Sequence, residues 1–242
     1  MKPRNKIQPL PFVLPALFVY ILTVIIPILW SMGYSLFSWN GIGDMKFIGL
    51  ENYVRMFQDE TFREAVVNNL KFVVLGSLFQ LCAGLILAIL LTHISKGGNI
   101  LRVIYFIPCI ISSMAICQIF SKMLSVQPQG LVCYVMEKLG MEPIALLANS
   151  HTALITITLI DGYKYCGLYM IIFYSAFVSI SKDVIEASTM DGCNVFQQYR
   201  YIKLPLVKNI FSIVIVMLVN GCLKTFDVFY ICLLYTSPSP RD

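Results

Sequence analysis

Five apolar runs, at about 10–29, 70–91, 101–124, 153–177 and 210–231, constrain this chain more than any other feature. A helix rises about 1.5 Å per residue, so about 20 residues cross a hydrocarbon core of about 30 Å. Each run reaches that length. Composition agrees: 58% of residues are hydrophobic and 13% charged, against about 45–50% and about 25% in soluble domains. The expectation is an all-α polytopic transmembrane helix bundle with five spans, surrounded by membrane lipid, and not a soluble enzyme.

The net charge of +5 does not point to nucleic acid, because Lys and Arg are scattered between apolar runs and form no basic face. Their placement fits cytoplasmic loops. Lys2, Arg4 and Lys6 precede the first run. A signal peptide begins likewise, but its apolar core is shorter and ends at a small-residue cleavage site. Here the run continues into Trp30, Tyr34 and Trp39, aromatics suited to a membrane interface. Residues 1–9 therefore read as a cytoplasmic N-terminus and 10–231 as the membrane domain, with Pro27 expected to kink the first span. With the N-terminus inside, nine cations (Lys2, Arg4, Lys6, Lys96, Arg102, Lys182, Arg200, Lys203 and Lys208) fall on inner segments. Four (Lys46, Arg55, Arg63 and Lys138) fall on outer loops, with Lys71 and Lys122 at borders. The bias supports that orientation.

The outer loop 40–66 is polar, with a short surface helix expected around 51–57. Within 125–150, Gln127-Pro128-Gln129-Gly130 reads as a turn, and 131–139 as a short helix ending at Gly140. Pro108 interrupts the third run. The eight cysteines include no C-x-x-C pair and mostly lie inside apolar runs, as buried thiols acting as small hydrophobes do. His93 and His151 lie far apart in sequence, so no metal site or other cofactor is expected.

The stretch 179–209 is too long for a hairpin turn and too patterned for a linker. Ser181 is placed to cap a helix through Met190, with Asp183 in the first turn. Gly192 supplies the stop. Asn194 and Gln197 have capping-box spacing. Leu204-Pro205 is expected to break the second helix, with Pro205 starting the next span. The product is a helix–turn–helix protruding into the cytoplasm.

Glu186-Ala187-Ser188, Gly192 and Ile202-x-Leu204-Pro205 resemble the E-A-A-x3-G-x9-I-x-L-P signature of permease subunits of binding-protein-dependent ATP-binding cassette importers. Ser188 replaces the second alanine and keeps the residue small; Asp191-Gly192 matches the usual D-G pair. Phe47-Ile48-Gly49-Leu50-Glu51-Asn52-Tyr53 resembles the F-x-G-L-x-N-Y loop of the carbohydrate-uptake branch, the relatives of maltose and glycerol-3-phosphate permeases. Phe106-Ile107-Pro108 and Phe226-Asp227-Val228-Phe229-Tyr230 resemble its F-L-P and F-D-x-x-Y.

The resemblance implies a subunit of the bacterial plasma (inner) membrane that forms the sugar pathway. Its implied partners are two ATPase subunits, a second permease chain, an extracytoplasmic solute-binding protein and a carbohydrate substrate. Glu186 would make the charged contact with the ATPase, Ala187 and Ser188 the close-packing face, and Gly192 the turn. The pattern also continues with a Gly-rich turn and a final span beyond 231, so five spans would be present and the last missing. Residues 232–242, CLLYTSPSPRD, resemble an in-frame translation of a sequencing-library adapter and read as a scar.

Charged residues at membrane depth commonly face a bundle interior or a solute path. Asp161 and Lys164 lie three apart in the fourth run, as a candidate local pair or substrate contact. Gly162 and Gly167 read as sites of close helix approach or unwinding. Lys224 and Asp227 repeat the spacing nearer an interface, where a snorkelling pair is expected. Asn220, Gln80, Gln118 and Tyr169 complete the polar candidates for a sugar. The alternatives are the same transporter class with a polyamine, phosphate or amino-acid cargo, or a membrane enzyme. No H-E-x-x-H, G-x-S-x-G or Cys/His array supports the enzyme, and no G-x-x-x-x-G-K-[ST] run supplies an ATP site.

Overall fold

The computed structural model describes residues 10–94, 96–142 and 144–234. The reading for 1–9 falls outside the described residues, as does the reading for 232–242 beyond Leu234. The chain divides into two units, Met1–Val66 and Val67–Asp242.

In the first unit, α1 (Leu10–Tyr20), a π-helical turn (Ile21–Ile25) and α2 (Ile26–Tyr34) form one helical run. Pro27 does not break it. Proline lacks the N–H that would bond the carbonyl four residues back, and its ring clashes with that carbonyl. The turn before it is widened instead, so that the Ile26 N–H bonds the Ile21 carbonyl, five residues back. β1 (Phe37–Ser38) and β2 (Lys46–Phe47) then pair antiparallel, with Phe37 opposite Phe47. Their rings meet edge to face at 5.3 Å. The short helix α3 (Glu51–Gln58) lies where the sequence places it.

The second unit holds most of α4 (Glu60–Thr92), then α5 (Gly98–Ile110), α6 (Ser113–Leu124), α7 (Leu131–Lys138) and α8 (Ser150–Val178). The polar segment follows with α9 (Lys182–Met190), α10 (Val195–Gln197), a π-helical turn (Gln198–Lys203) and α11 (Leu204–Leu206). The unit closes with α12 (Lys208–Lys224) and α13 (Asp227–Leu234). α8 is the central post: α5, α6, α12 and α13 all pack on it. Small residues set the spacing. A Cβ built on Gly84 of α4 would lie 2.9 Å from the Tyr169 Cβ, and one on Gly167 would strike the Tyr105 carbonyl of α5. Lipid supplies no hydrophobic drive for helix association, so close backbone approach is how such helices gain contact energy. α8 stays helical at Gly162 and Gly167, so these glycines serve packing and not unwinding.

One apolar cluster gathers Phe72, Ile116, Ile157, Ile160, Cys222 and Val228; a second gathers Ala88, Met170, Phe173, Phe177, Tyr199 and Leu218. Cys117, Cys133, Cys166, Cys222 and Cys232 are buried, as the sequence suggests, whereas Cys82 is exposed.

Among the described residues, two helices are by themselves long and apolar enough to cross a membrane, Val13–Tyr34 and Glu60–Thr92; counting each bent helix pair as one span gives up to five. The third run is interrupted, as expected, but not at Pro108 itself, which lies inside α5: α5 and α6 meet at 94°. The bend falls at Ile111 and Ser112, both extended, three residues beyond Pro108. The fifth run also differs. It breaks between α12 and α13, where Thr225 leaves helical geometry, so Lys224 and Asp227 sit on either side of a joint. No ion pair joins them among the described residues.

Candidate functional site

The segment 179–207 is built from local chemistry. α9 begins after Ser181, whose backbone is extended but whose side chain makes no capping bond; the cap expected there is positional only. Asp183 occupies the first turn. The far end is a Schellman motif. The Cys193 N–H donates to the Ser188 carbonyl and the Gly192 N–H to the Thr189 carbonyl, each at 3.0 Å. Gly192 has φ +81°, a left-handed conformation that costs glycine little. Asn194 and Gln197 form the capping box. The Gln197 N–H donates to Asn194 Oδ1 at 2.9 Å, and the Asn194 N–H to Gln197 Oε1 at 2.8 Å. Gln198 Nε2 donates to Thr189 Oγ1 at 3.0 Å, tying the two arms together.

Leu204-Pro205 does not end the second arm as expected. The π-helical turn before it lets the Leu204 N–H reach the Tyr199 carbonyl, which accommodates Pro205 as the first unit accommodates Pro27. The chain turns instead at Val207, where α12 departs at 72°.

This geometry sorts the signature residues. Glu186, Ala187 and Asp191 are exposed on the knob, while Ser188 is buried, its hydroxyl donating to the Ile185 carbonyl at 2.6 Å. Ser188 therefore packs inside this chain, not on an outward face. Ile202 and Leu204 are half-buried and Pro205 exposed. The sequence reading passes over two apolar side chains, Met190 at 88% and Phe196 at 73% exposure. Their signal is a large apolar residue in a segment otherwise read as polar. The knob thus presents acids, a small residue and large apolar side chains, with Val195 and Tyr201 also exposed, a surface suited to docking against protein.

The resemblance loop 47–53 has a structural role. Asn52 Nδ2 donates to the Ser35 and Phe37 carbonyls at 2.9 and 3.0 Å. The Tyr53 hydroxyl shares a 2.7 Å hydrogen bond with the Ser35 hydroxyl, and Gly49 takes φ +58°.

At membrane depth, Asp161 and Lys164 do not pair. Gln80 Nε2 of α4 donates to Asp161 Oδ2 at 2.9 Å, and Lys164 Nζ donates to Ser113 Oγ of α6 at 2.5 Å. Asp161 and Lys164 are 1% and 5% exposed, and Asp161 Oδ1 is buried with no hydrogen-bond partner among the described residues. The arrangement corrects the local i, i+3 pairing expected: each charge clasps α8 to a different neighbour. Gly167 is closed off by the Tyr105 backbone, whereas Asn220 and Gln118 are exposed. No group of metal-ligating side chains exists among the described residues.

The family described as "binding-protein-dependent transport system inner membrane component" matches residues 80–235. The probable ABC transporter permease protein YurN of Bacillus subtilis is 31% identical over 233 residues, 94% of this chain and 79% of that protein. The lactose transport system permease protein LacF of Rhizobium radiobacter is 28% identical over 222 residues, covering 90% and 74%. The trehalose/maltose transport system permease protein MalF of Thermococcus litoralis is 25% identical over 220 residues, also 90% and 74%. A chain of a bacterial alginate ABC transporter, solved with an alginate pentasaccharide-bound periplasmic protein, has the same fold: TM-score 0.81 at 21% identity, covering 92% of this chain and 75% of that one.

Proposed function

Because the chain belongs to the inner-membrane components of binding-protein-dependent transport systems, we propose that it is a permease subunit of an ATP-driven sugar importer, with loop 179–209 as the contact to the ATPase. The observation that carries the proposal is the knob itself. Its two arms are held by a Schellman motif, a capping box and the Gln198–Thr189 bond, so it can transmit a push rather than absorb it. Glu186 makes the charged contact, with Ala187, Met190 and Phe196 packing beside it and Gly192 fixing the turn.

Nothing in the chain supplies an ATP site, so the energy comes from a bound pair of ATPase subunits. A second permease chain completes the pathway, and an extracytoplasmic binding protein delivers the solute. The N-terminus and the knob face the cytoplasm. Relatives named for lactose and for trehalose/maltose transport favour carbohydrate as cargo. Of the polar candidates, Asn220 and Gln118 are exposed in this conformation, and Asn220 contacts solute directly. Asp161 and Lys164 support the pathway wall from behind, and Gly167 sets its helix spacing.

Co-expression with the ATPase subunits tests the assignment. They should co-purify with this chain and be lost on Glu186→Arg or Gly192→Trp; normal association after both changes overturns it.

A further inference from the structure

The knob is joined covalently to the bundle only at two bends, 70° between α8 and α9 and 72° between α11 and α12. A force applied to α9 would flex both unless something braces the loop to a third element. Tyr199 meets that need. It is 6% exposed, in the π-helical turn. Its hydroxyl is hydrogen-bonded to Thr92 Oγ1, at the C-terminus of α4 and 107 residues away in sequence. Thr92 donates its one hydroxyl hydrogen to the Ile89 carbonyl at 2.7 Å, so Tyr199 is the donor and Thr92 the acceptor.

The Tyr199 ring is fixed on three sides. Phe177, at the end of α8, meets it edge to face at 5.5 Å. The His93 ring lies 5.8 Å away. Lys203 Nζ caps the ring 4.0 Å from its centroid, within cation–π range. Gln198 beside it is bonded to Thr189 of α9, so α9 and Tyr199 move together.

We propose that Tyr199 is a positioning residue: its hydroxyl and ring brace loop 179–207 to the ends of α4 and α8, so that displacement of α9 reaches α4 directly. The proposal rests on the reading of that loop as the ATPase contact. Without the brace, motion would pass first to α8 and α12, the two helices to which the loop is covalently joined.

The test uses the assembled transporter, with its ATPase subunits and second permease chain, in lipid. Amide hydrogen exchange is followed across 88–94 with and without ATP. Tyr199→Phe keeps the ring contacts and removes only the donor; Thr92→Val removes the acceptor and Thr92→Ser keeps it. Tyr199→Phe and Thr92→Val should each speed exchange at 88–94 about fivefold, the effect of one hydrogen bond. The double variant should exceed neither, and Thr92→Ser should match the unaltered chain. ATP should change exchange at 88–94 in the unaltered transporter but not in Tyr199→Phe. An ATP response that survives in Tyr199→Phe, or is absent from the unaltered transporter, overturns the brace. Failure of the unaltered chain to retain its ATPase subunits overturns the coupling assignment instead.

Discussion

Asp161 shows how much a single buried charge depends on partners distant in sequence. Its side chain is 1% exposed and receives one hydrogen bond, from Gln80. Removing that donor leaves a carboxylate without a partner in a low-dielectric interior. Leaving such a buried group unsatisfied costs about 1–3 kcal/mol, and replacing both partners with apolar groups costs much less. Gln80→Leu should therefore lower the thermal midpoint of the detergent-solubilised protein more than Gln80→Leu/Asp161→Leu does. A double variant less stable than the single would contradict the clasp. Gly167→Val belongs to the same scale. Its side chain would enter the Tyr105 backbone, and overpacking costs about 1–3 kcal/mol, measurable by the same melt. Both charges were visible in the sequence, and so was their spacing. Their partners were not, because spacing identifies neighbours on one helix and says nothing of Gln80, 81 residues away, or of Ser113.

At the scale of elements, legibility follows the range of the forces. The capping box at Asn194 and Gln197 and the stop at Gly192 involve neighbouring backbone groups, and the residue types alone place them. The bend at Ile111 and Ser112 is marked only nearby, by Pro108 three residues earlier; it sits between helices that share α8, with α6 also packed against α13. Ser181 marks the opposite error. It has the residue type and the backbone of a cap but not the bond. Asn194→Ala should loosen the knob by about 1 kcal/mol, seen as faster amide exchange confined to 194–198. Gly192→Ala forces a Cβ into φ +81° and should disturb both arms, 182–198. Equal, local effects from the two changes would argue that the arms are independent.

For the molecule as a whole, the sequence carried the class, a bundle of apolar helices, and the helix–turn–helix of the knob. It did not carry which polar groups face a solute, because that depends on which helices touch. Orientation is open to direct measurement. A membrane-impermeant thiol reagent should modify Glu186→Cys from the cytoplasmic side only, in a background where exposed Cys82 and half-buried Cys109 and Cys193 are replaced. Labelling from outside would reverse the topology and remove the coupling role with it. Asn220→Leu should raise the KM of the assembled transporter for labelled sugar about tenfold, the equivalent of about 1.4 kcal/mol of lost hydrogen bonding, with little change in ATPase binding.

The widened turns ahead of Pro27 and Pro205 carry one residue more than an ordinary helix of the same phase. That surplus makes them local reservoirs of chain length. Deleting Gln198 together with Pro205→Ala should let the turn close to regular geometry while Leu206 and everything after it keep their angular position. The same single deletion midway along α12 would swing every later side chain of that helix by about 100° and present the wrong face to α8. Homologous chains that differ by one residue should therefore place the difference immediately before these prolines.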